Sequence, residues 1–227
     1  MSVASVERDL VVVDGPDAAS FLQGQLSQDV EALGSGETAL SFLLQPQGKV
    51  DALLRVRRDG PERFVLDVDA GYGQAVVDRL SRFKLRVKCT IESAGVQALD
   101  APWGSGDRVA AGWPAMGAEL DDKTIPAETG LVERAVSFTK GCYTGQELVA
   151  RIDSRGGHVP RRLRVVELVG DGVPVGAAVE VDGRERGRVT SVSDDGRLAL
   201  AYVHRDVAPP ADAAVRWEGG QAEARVT

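Results

Sequence analysis

The residues best equipped for chemistry fall within one short stretch, KGCYTGQELVAR, at positions 140–151. Within eight residues it combines an ammonium, a thiol, a phenol, a carboxamide and a carboxylate, carried by Lys140, Cys142, Tyr143, Gln146 and Glu147. The spacing Thr144-x-x-Glu147 is typical of a capping box, which predicts that a helix begins at this point. Cys142 would then lie two residues before a helix N-terminus and beside a lysine, and both features lower the pKa of a thiol. The stretch therefore predicts a reactive or ligating sulfur, with a space-filling turn cysteine as the alternative.

The run KGCYTGQE resembles the signature of the YgfZ-type folate-binding proteins, which are relatives of the glycine-cleavage T-protein, an aminomethyltransferase. Weaker similarity in GPDAASFLQGQLSQDV, IPAETGL and GRVTSVS extends the resemblance over almost the whole chain. It implies a tetrahydrofolate-binding accessory protein that supports iron–sulfur cluster assembly or repair in client enzymes, including tRNA-modifying enzymes. T-proteins lack the cysteine motif, which favours the YgfZ branch.

The resemblance also implies roles for individual residues. Cys142 and Lys140 are the catalytic candidates. The candidates for binding tetrahydrofolate, or another reduced folate, are Gln25, Asp29, Arg108, Glu128, Tyr143, Gln146 and Glu147. Gln25 and Asp29 match the pterin-side region of the T-protein fold, and a solvated helix end is the alternative. Arg108 suits the carboxylate of the folate glutamate tail because a guanidinium is a planar fork, and a surface arginine is the alternative.

We expect the folate to bind in a central cavity between the first unit of the chain and the segment that carries Arg108 and Glu128. One position departs from the T-protein pattern. T-proteins carry a catalytic aspartate shortly after a glycine turn, and aligning Gly48 places Ala52 or the next residue there, with Asp51 one place early. A shift of one residue along a strand turns a side chain to the other face. Methylene transfer of the T-protein type is therefore in doubt, whereas folate binding is not.

Three function classes stay open: the folate-binding accessory factor, a folate-dependent aminomethyl or one-carbon transferase, and a thiol redox protein that uses Cys142 alone. A net charge of −7 argues against a protein that coats nucleic acid, so no direct nucleic-acid partner is expected. Two cysteines and two histidines without a C-x-x-C cannot form a four-thiolate cluster site, so no intrinsic metal is expected. The partners expected are the folate and iron–sulfur client or assembly proteins.

No apolar run approaches the roughly 18 residues of a membrane span, and the N-terminus lacks a signal-peptide pattern. With two distant cysteines, these features predict a cytoplasmic, monomeric protein that does not contact membranes. Cys89 is expected in a strand over 85–91, where alternation places its side chain and that of Leu85 in the core.

The elements that position the motif follow the order β-α-β-β-β-α-β. Strands are predicted over 9–13, 38–44, 49–58, 63–68 and 85–91, with helices opening near 14–16 and covering 71–83. This order fits an α+β fold with helices on one face of a mostly antiparallel sheet. From about Leu163 six short strands predict a small β-barrel. The predicted domains are a first folate-binding unit over 1–93, a second unit with the motif over 94–157, and the barrel over 158–227.

Overall fold

A computed structural model describes residues 4–227 and begins with a five-stranded sheet. The first elements are β1 (Ser5–Asp14), α1 (Ala18–Gln25), β2 (Thr38–Leu44), β3 (Val50–Arg58), β4 (Arg63–Asp69), α2 (Gly73–Phe83) and β5 (Thr90–Asp100). All strand pairs in the sheet are antiparallel, in the spatial order β2-β3-β4-β1-β5. The predicted α+β class and the predicted order of elements are confirmed.

Both helices pack on one face of this sheet, because apolar residues alternate along its strands. In β1, Val11 and Val13 are fully buried in the core that also contains Leu22 of α1 and Leu80 of α2. Strand alternation places every second residue on the same face, so this face of β1 is the hydrophobic one. On each helix the buried residues share one side, as expected for an amphipathic helix that packs on a sheet.

The strand predicted over 85–91 is wrong. Arg86 adopts a φ of 58°, a left-handed conformation that interrupts an extended chain, and Leu85 is 82% exposed. The strand begins instead at Thr90 and pairs with β1 along its length. Cys89 lies just before it and is 7% exposed in the helix-side core, so its predicted burial is confirmed although it is not in a strand.

The segment between the sheet and the barrel covers the other face of β2 and β3. It contains a 3-10 helix (Pro126–Glu128), α3 (Val132–Ala135) and α4 (Gln146–Asp153). The second core that it forms with the sheet includes Phe42, Leu44, Leu53, Trp113, Leu120, Leu131, Tyr143 and Val149. No helix within residues 4–227 is long and apolar enough to cross a membrane.

The C-terminal part is a closed six-stranded barrel, as predicted. It consists of β6 (Arg161–Val169), β7 (Ala178–Val181), β8 (Arg184–Val192), β9 (Leu198–His204), β10 (Ala211–Trp217) and β11 (Gly220–Val226). Their order is β10-β11-β6-β9-β8-β7, and closure leaves no unpaired edge strand. Asp182 and Gly183 both have positive φ, 52° and 70°, as the predicted tight hairpin between β7 and β8 requires.

A buried carboxylate fastens the middle segment to the barrel. The side chain of Glu119 is fully buried, and its Oε2 accepts hydrogen bonds from Arg108 Nη1 at 2.8 Å and from the Ala115 N–H at 3.0 Å. Its Oε1 accepts from the hydroxyl of Ser191 in β8 at 2.5 Å. Tyr202 in β9 donates to the main-chain oxygen of Glu119 at 2.9 Å. We call this cluster the Glu119 latch.

Replacing Glu119 by alanine should lower the free energy of unfolding by roughly 3–5 kcal/mol, because it leaves the guanidinium of Arg108 without its buried partner. Urea unfolding followed by circular dichroism measures the change. Glu185→Ala is the control, since Glu185 forms an exposed ion pair with Arg188 and its loss should change stability little. Equal effects of the two substitutions would show that the latch is not a stabilising feature.

Candidate functional site

The first residue of the cysteine motif is fixed to the end of α1. Lys140 Nζ donates to the main-chain oxygens of Gln23, Leu26 and Gln28 at 2.6, 2.7 and 2.9 Å. Carbonyls at the C-terminal end of a helix lack helical partners, so the ammonium satisfies groups that would otherwise need water. Burial lowers the pKa of Lys140 to about 8, and the charge of Asp29 opposes that shift. Lys140 therefore acts first as a structural cap.

The capping box predicted at Thr144 is wrong. The helix begins one residue later, at Gln146, with Gly145 as its N-cap at a φ of 83°. The Thr144 hydroxyl donates to the main-chain oxygen of Gly24 at 3.4 Å, and the Thr144 N–H donates to the same oxygen at 3.0 Å. Gln146 Oε1 accepts from the Tyr143 N–H at 3.2 Å, so Gln146 supplies the polar contact at this turn.

Gly145 rests directly on the turn that joins β2 to β3. A Cβ added to Gly145 would lie 2.5 Å from the main-chain oxygen of Gln45 and 2.8 Å from Leu44 Cβ. On the opposing side, Gly48 has a φ of 84°, and a Cβ there would collide with Leu148 of α4. Two backbones thus touch where no side chain fits, which brings the motif and the turn 45–48 together.

Cys142 lies between these two attachments and is exposed, whereas Cys89 is buried. The neighbouring Tyr143 is buried, and burial raises the pKa of its phenol to about 12, so it stays protonated at neutral pH. The nitrogen of Lys140 lies 5.2 Å from the centre of the Tyr143 ring. Glu147 is exposed on α4. The predicted reactivity of the Cys142 sulfur stays a prediction.

A cavity of about 560 Å³ lies beside the same turn, and we call it the α2 cavity. Its walls are the turn residues 45–47, Asp51 and Ala52 of β3, Tyr72, and the face of α2 that carries Arg79, Arg82 and Phe83. Because Gly145 packs on Gln45, the turn is a wall shared by the cavity and the motif.

Asp51 lines the α2 cavity, which corrects the expectation that its register turns it away. The pairing of β2 with β3 shifts at this point: Leu43 lies opposite Ala52, but Leu44 lies opposite Val50. Asp51 is therefore the extra residue of a β-bulge. Val50 packs in the core on the opposite face of the sheet, while Asp51 and Ala52 both reach the cavity. The extra residue of the bulge offsets the one-residue shift of Asp51 relative to the T-protein pattern, so Asp51 reaches the cavity.

Asp51 is held by an arginine at the centre of a small polar cluster. Arg79 Nε donates to Asp51 Oδ2 at 2.8 Å, Nη1 donates to Gln25 Oε1 at 3.3 Å, and Nη2 donates to the Leu44 main-chain oxygen at 2.7 Å. The guanidinium carbon lies 3.9 Å from the centre of the Phe83 ring. Burial lowers the pKa of Arg79, and the hydrogen bond to Asp51 opposes this. Of the predicted folate residues, Gln25 thus joins this cluster.

The other predicted folate residues lie elsewhere. Arg108 is held in the Glu119 latch, and neither it nor Glu128 lines the α2 cavity. Glu128 is 3% exposed, and its carboxylate accepts two hydrogen bonds from Arg161 of β6, each of 3.3 Å. Asp29 accepts from the Gln23 side chain at 2.9 Å, in the turn after α1. With Gln25 in the Arg79 cluster and Tyr143, Gln146 and Glu147 in the cysteine motif, the predicted set is divided among five places.

The sequence reasoning missed Arg79 and Tyr72. Arg79 lies among the apolar residues of the α2 stripe, next to Leu80 and three residues after Val76. An arginine on the buried side of an amphipathic helix requires a partner, and this was an available signal. Within residues 4–227, no group of three or more His, Cys, Asp and Glu side chains is placed to hold a metal ion.

No protein-family model matches the chain. Among known proteins, it is 27% identical to an uncharacterised protein of Haemophilus influenzae, with 88% of each chain aligned. It is also 27% identical to the tRNA-modifying protein YgfZ of Serratia proteamaculans, over 70% of this chain and 72% of that protein. These relatives confirm the resemblance to the YgfZ-type proteins. It is 27% identical to a mitochondrial iron-sulfur cluster assembly factor IBA57 homologue of Pyricularia oryzae, over 95% of this chain and 76% of that protein.

The fold is that of the T-proteins. The crystal structure of the glycine cleavage system aminomethyltransferase T from Bartonella henselae matches with a TM-score of 0.84 and 17% identity. The match covers 99% of this chain and 85% of the other. The chain therefore has the T-protein architecture at low sequence identity.

Gly145→Ala should destabilise the protein more than Gly130→Ala, although both glycines have left-handed backbones, with φ of 83° and 76°. At Gly130 nothing lies within 4 Å of an added Cβ, so only backbone strain of roughly 1 kcal/mol is expected. At Gly145 the added methyl group would overlap the turn, which should increase the loss of stability by about 1–3 kcal/mol. Thermal or urea unfolding measures both. If the two variants are equally stable, the close contact between motif and turn is not real.

Proposed function

We propose that this chain is a tetrahydrofolate-binding accessory protein that supports iron–sulfur cluster assembly or repair in client enzymes, including tRNA-modifying enzymes. The names of its relatives support the iron–sulfur and tRNA-related parts. The observation that carries the folate part is that the α2 cavity and the cysteine motif share one wall, the turn 45–47. A bound cofactor would therefore lie close to the elements that hold Cys142.

The residues of the α2 cavity fit a reduced folate. Only Oδ2 of Asp51 is bonded to Arg79, and Oδ1 accepts no hydrogen bond within residues 4–227, so it remains available to the N–H groups of a pterin. Tyr72 and Phe83 provide aromatic surfaces for a flat ring. Arg82 lines the cavity, is exposed, and forms no ion pair within the described residues. It is better placed than Arg108 for the glutamate tail.

A second candidate, folate-dependent one-carbon transfer, is favoured by the position of Asp51. A bound tetrahydrofolate would supply a nitrogen that carries the one-carbon unit. The carboxylate of Asp51 would orient that end of the cofactor, while Arg79 fixes the position of the carboxylate through Oδ2. The thiol redox alternative has no support from the relatives, and Cys89 is buried away from solvent.

The exposed thiol of Cys142 supports the accessory role. An exposed cysteine on a fixed turn is accessible to a client protein, and a thiolate is the ligand that iron–sulfur clusters prefer. We place this activity in the cytoplasm, as the sequence predicts, although the fungal relative is described as mitochondrial. The client or assembly proteins are the partners, with the cluster as their cargo.

Asp51→Asn and Arg82→Gln should each weaken tetrahydrofolate binding about tenfold, the change expected for one charge-assisted hydrogen bond. Equilibrium binding measured by fluorescence or calorimetry tests this. Arg184→Gln, which removes an exposed barrel arginine, is the matched control and should bind as wild type. Arg108→Ala, which also weakens the Glu119 latch, should retain affinity in its folded form if the α2 cavity is the site. Absence of saturable binding below millimolar concentrations would refute the folate proposal.

Cys142→Ser should leave folding and tetrahydrofolate affinity nearly unchanged and abolish support of iron–sulfur enzymes in cells. Serine keeps the size of the side chain, but its hydroxyl does not ionise in the physiological range. The measurement is the activity of iron–sulfur enzymes in a strain that lacks the protein and expresses the variant. Cys89→Ser is the matched control because it removes the buried sulfur and keeps Cys142. Full rescue by Cys142→Ser would mean that the function rests on folate binding alone.

A further inference from the structure

A recess of about 440 Å³ lies where the connector 154–160 meets the end of β9. It is lined by His158, Val159, Arg162, Arg205 and Asp206, and we call it the connector cleft. None of these residues lines the α2 cavity, so the two are separate. The cleft combines two guanidinium groups and one imidazole in a protein whose net charge is −7.

Strand pairing brings these cations together from distant parts of the chain. Arg161 at the start of β6 lies opposite His204 at the end of β9. The Arg205 N–H donates to the Pro160 oxygen at 3.1 Å, which ties the turn after β9 to the connector. Arg162 Nη2 donates to the Gly157 oxygen at 2.7 Å, so the side chain folds back over the connector. The cations are therefore positioned by the fold.

Acidic side chains offset only part of the positive charge of the cleft. Within residues 4–227, no carboxylate lies within 4.0 Å of Arg162, and burial together with the charge of Arg162 lowers the pKa of Arg164. Asp206, the carboxylate that lines the cleft, is 59% exposed and lies 3.3 Å from His204 Nδ1 and 3.8 Å from Arg205 Nε.

The connector also carries main-chain N–H groups without a protein acceptor, on two residues that line the recess. Gly156 and Gly157 both have left-handed φ values, 79° and 70°. A Cβ on Gly156 would lie 3.5 Å from His158 Nε2, and one on Gly157 would lie 3.7 Å from Arg162 Nη2. Within the part of the chain that the structure describes, the N–H groups of His158 and Val159 donate to no protein acceptor. Successive free N–H groups in such a turn form an anion-binding concavity.

We propose that the connector cleft binds a phosphate group, as inorganic phosphate or as a phosphate monoester of a small molecule. Guanidinium groups on Arg162 and Arg205, an imidazole and two main-chain N–H groups belong to three segments that meet at the cleft: β6, the turn after β9 and the connector. A tetrahedral oxyanion accepts hydrogen bonds from several directions, whereas a planar carboxylate is satisfied by one guanidinium. The site is independent of folate binding, so either proposal can fail without the other.

Calorimetric titration of the full chain with inorganic phosphate, at low chloride, tests the proposal. We expect saturable binding at millimolar or lower concentration, weakened about tenfold in Arg205→Gln and in Arg162→Gln. Arg205 is the cleaner change, because Arg162 also holds the connector through Gly157. Arg184→Gln removes the same charge from an exposed barrel position outside the cleft and should bind as wild type.

Three outcomes would overturn the proposal: no saturable binding, an equal loss of affinity in Arg184→Gln, or displacement of phosphate by acetate as effectively as by sulfate. Parallel titrations with a nucleoside monophosphate distinguish a phosphate monoester from inorganic phosphate as the ligand. Tighter binding of the nucleotide than of phosphate assigns the site to a monoester, and the reverse assigns it to the free ion. Unfolding measured on the same samples shows whether each variant keeps its fold.

Discussion

Steric exclusion between two backbones is the constraint on which the candidate site depends. Gly145 and Gly48 face each other across the junction of α4 and the turn after β2, and side chains at either position would overlap their neighbours. Both have left-handed φ values, which only glycine adopts at little energetic cost. The position of the motif relative to the sheet is therefore set by shape. Lys140 adds a polar attachment to α1, and between the two Cys142 is presented to solvent.

Electrostatics in the α2 cavity follows from the partial burial of one arginine. Arg79 gives up hydration, and its hydrogen bonds to Asp51, Gln25 and Leu44 replace the water it loses. Removing one partner of such a pair is more destabilising than exchanging both for apolar residues, because a charge is then left without compensation. Stability and the proposed folate recognition would thus depend on the same contacts.

The sequence predicted the features that depend on local pattern: the alternating strands, the amphipathic α2, the barrel and the burial of Cys89. The prediction failed where a residue distant in the sequence determines the local structure. The stretch 90–100 is rich in residues with little strand preference, yet it forms β5 because β1 offers a continuous edge. Thr144 is diverted from capping α4 by the carbonyl of Gly24. The bulge at Asp51 depends on the register of β2, which β3 alone does not reveal.

Charged residues that a motif assigns to a ligand are often needed to join parts of the fold. Glu119 accepts from Ser191 of β8, and Glu128 accepts from Arg161 of β6, so two buried carboxylates connect the middle segment to the barrel. Arg108 is part of the first connection, so its guanidinium already has a carboxylate partner within the fold. The helix α4 is placed between these connections and the sheet. Its N-terminus touches a wall of the α2 cavity, and its C-terminus leads into the connector cleft, about 12 Å away for a helix of eight residues. The same short helix therefore links the two sites, with glycine contacts at one end and the Arg162–Gly157 hydrogen bond just beyond the other.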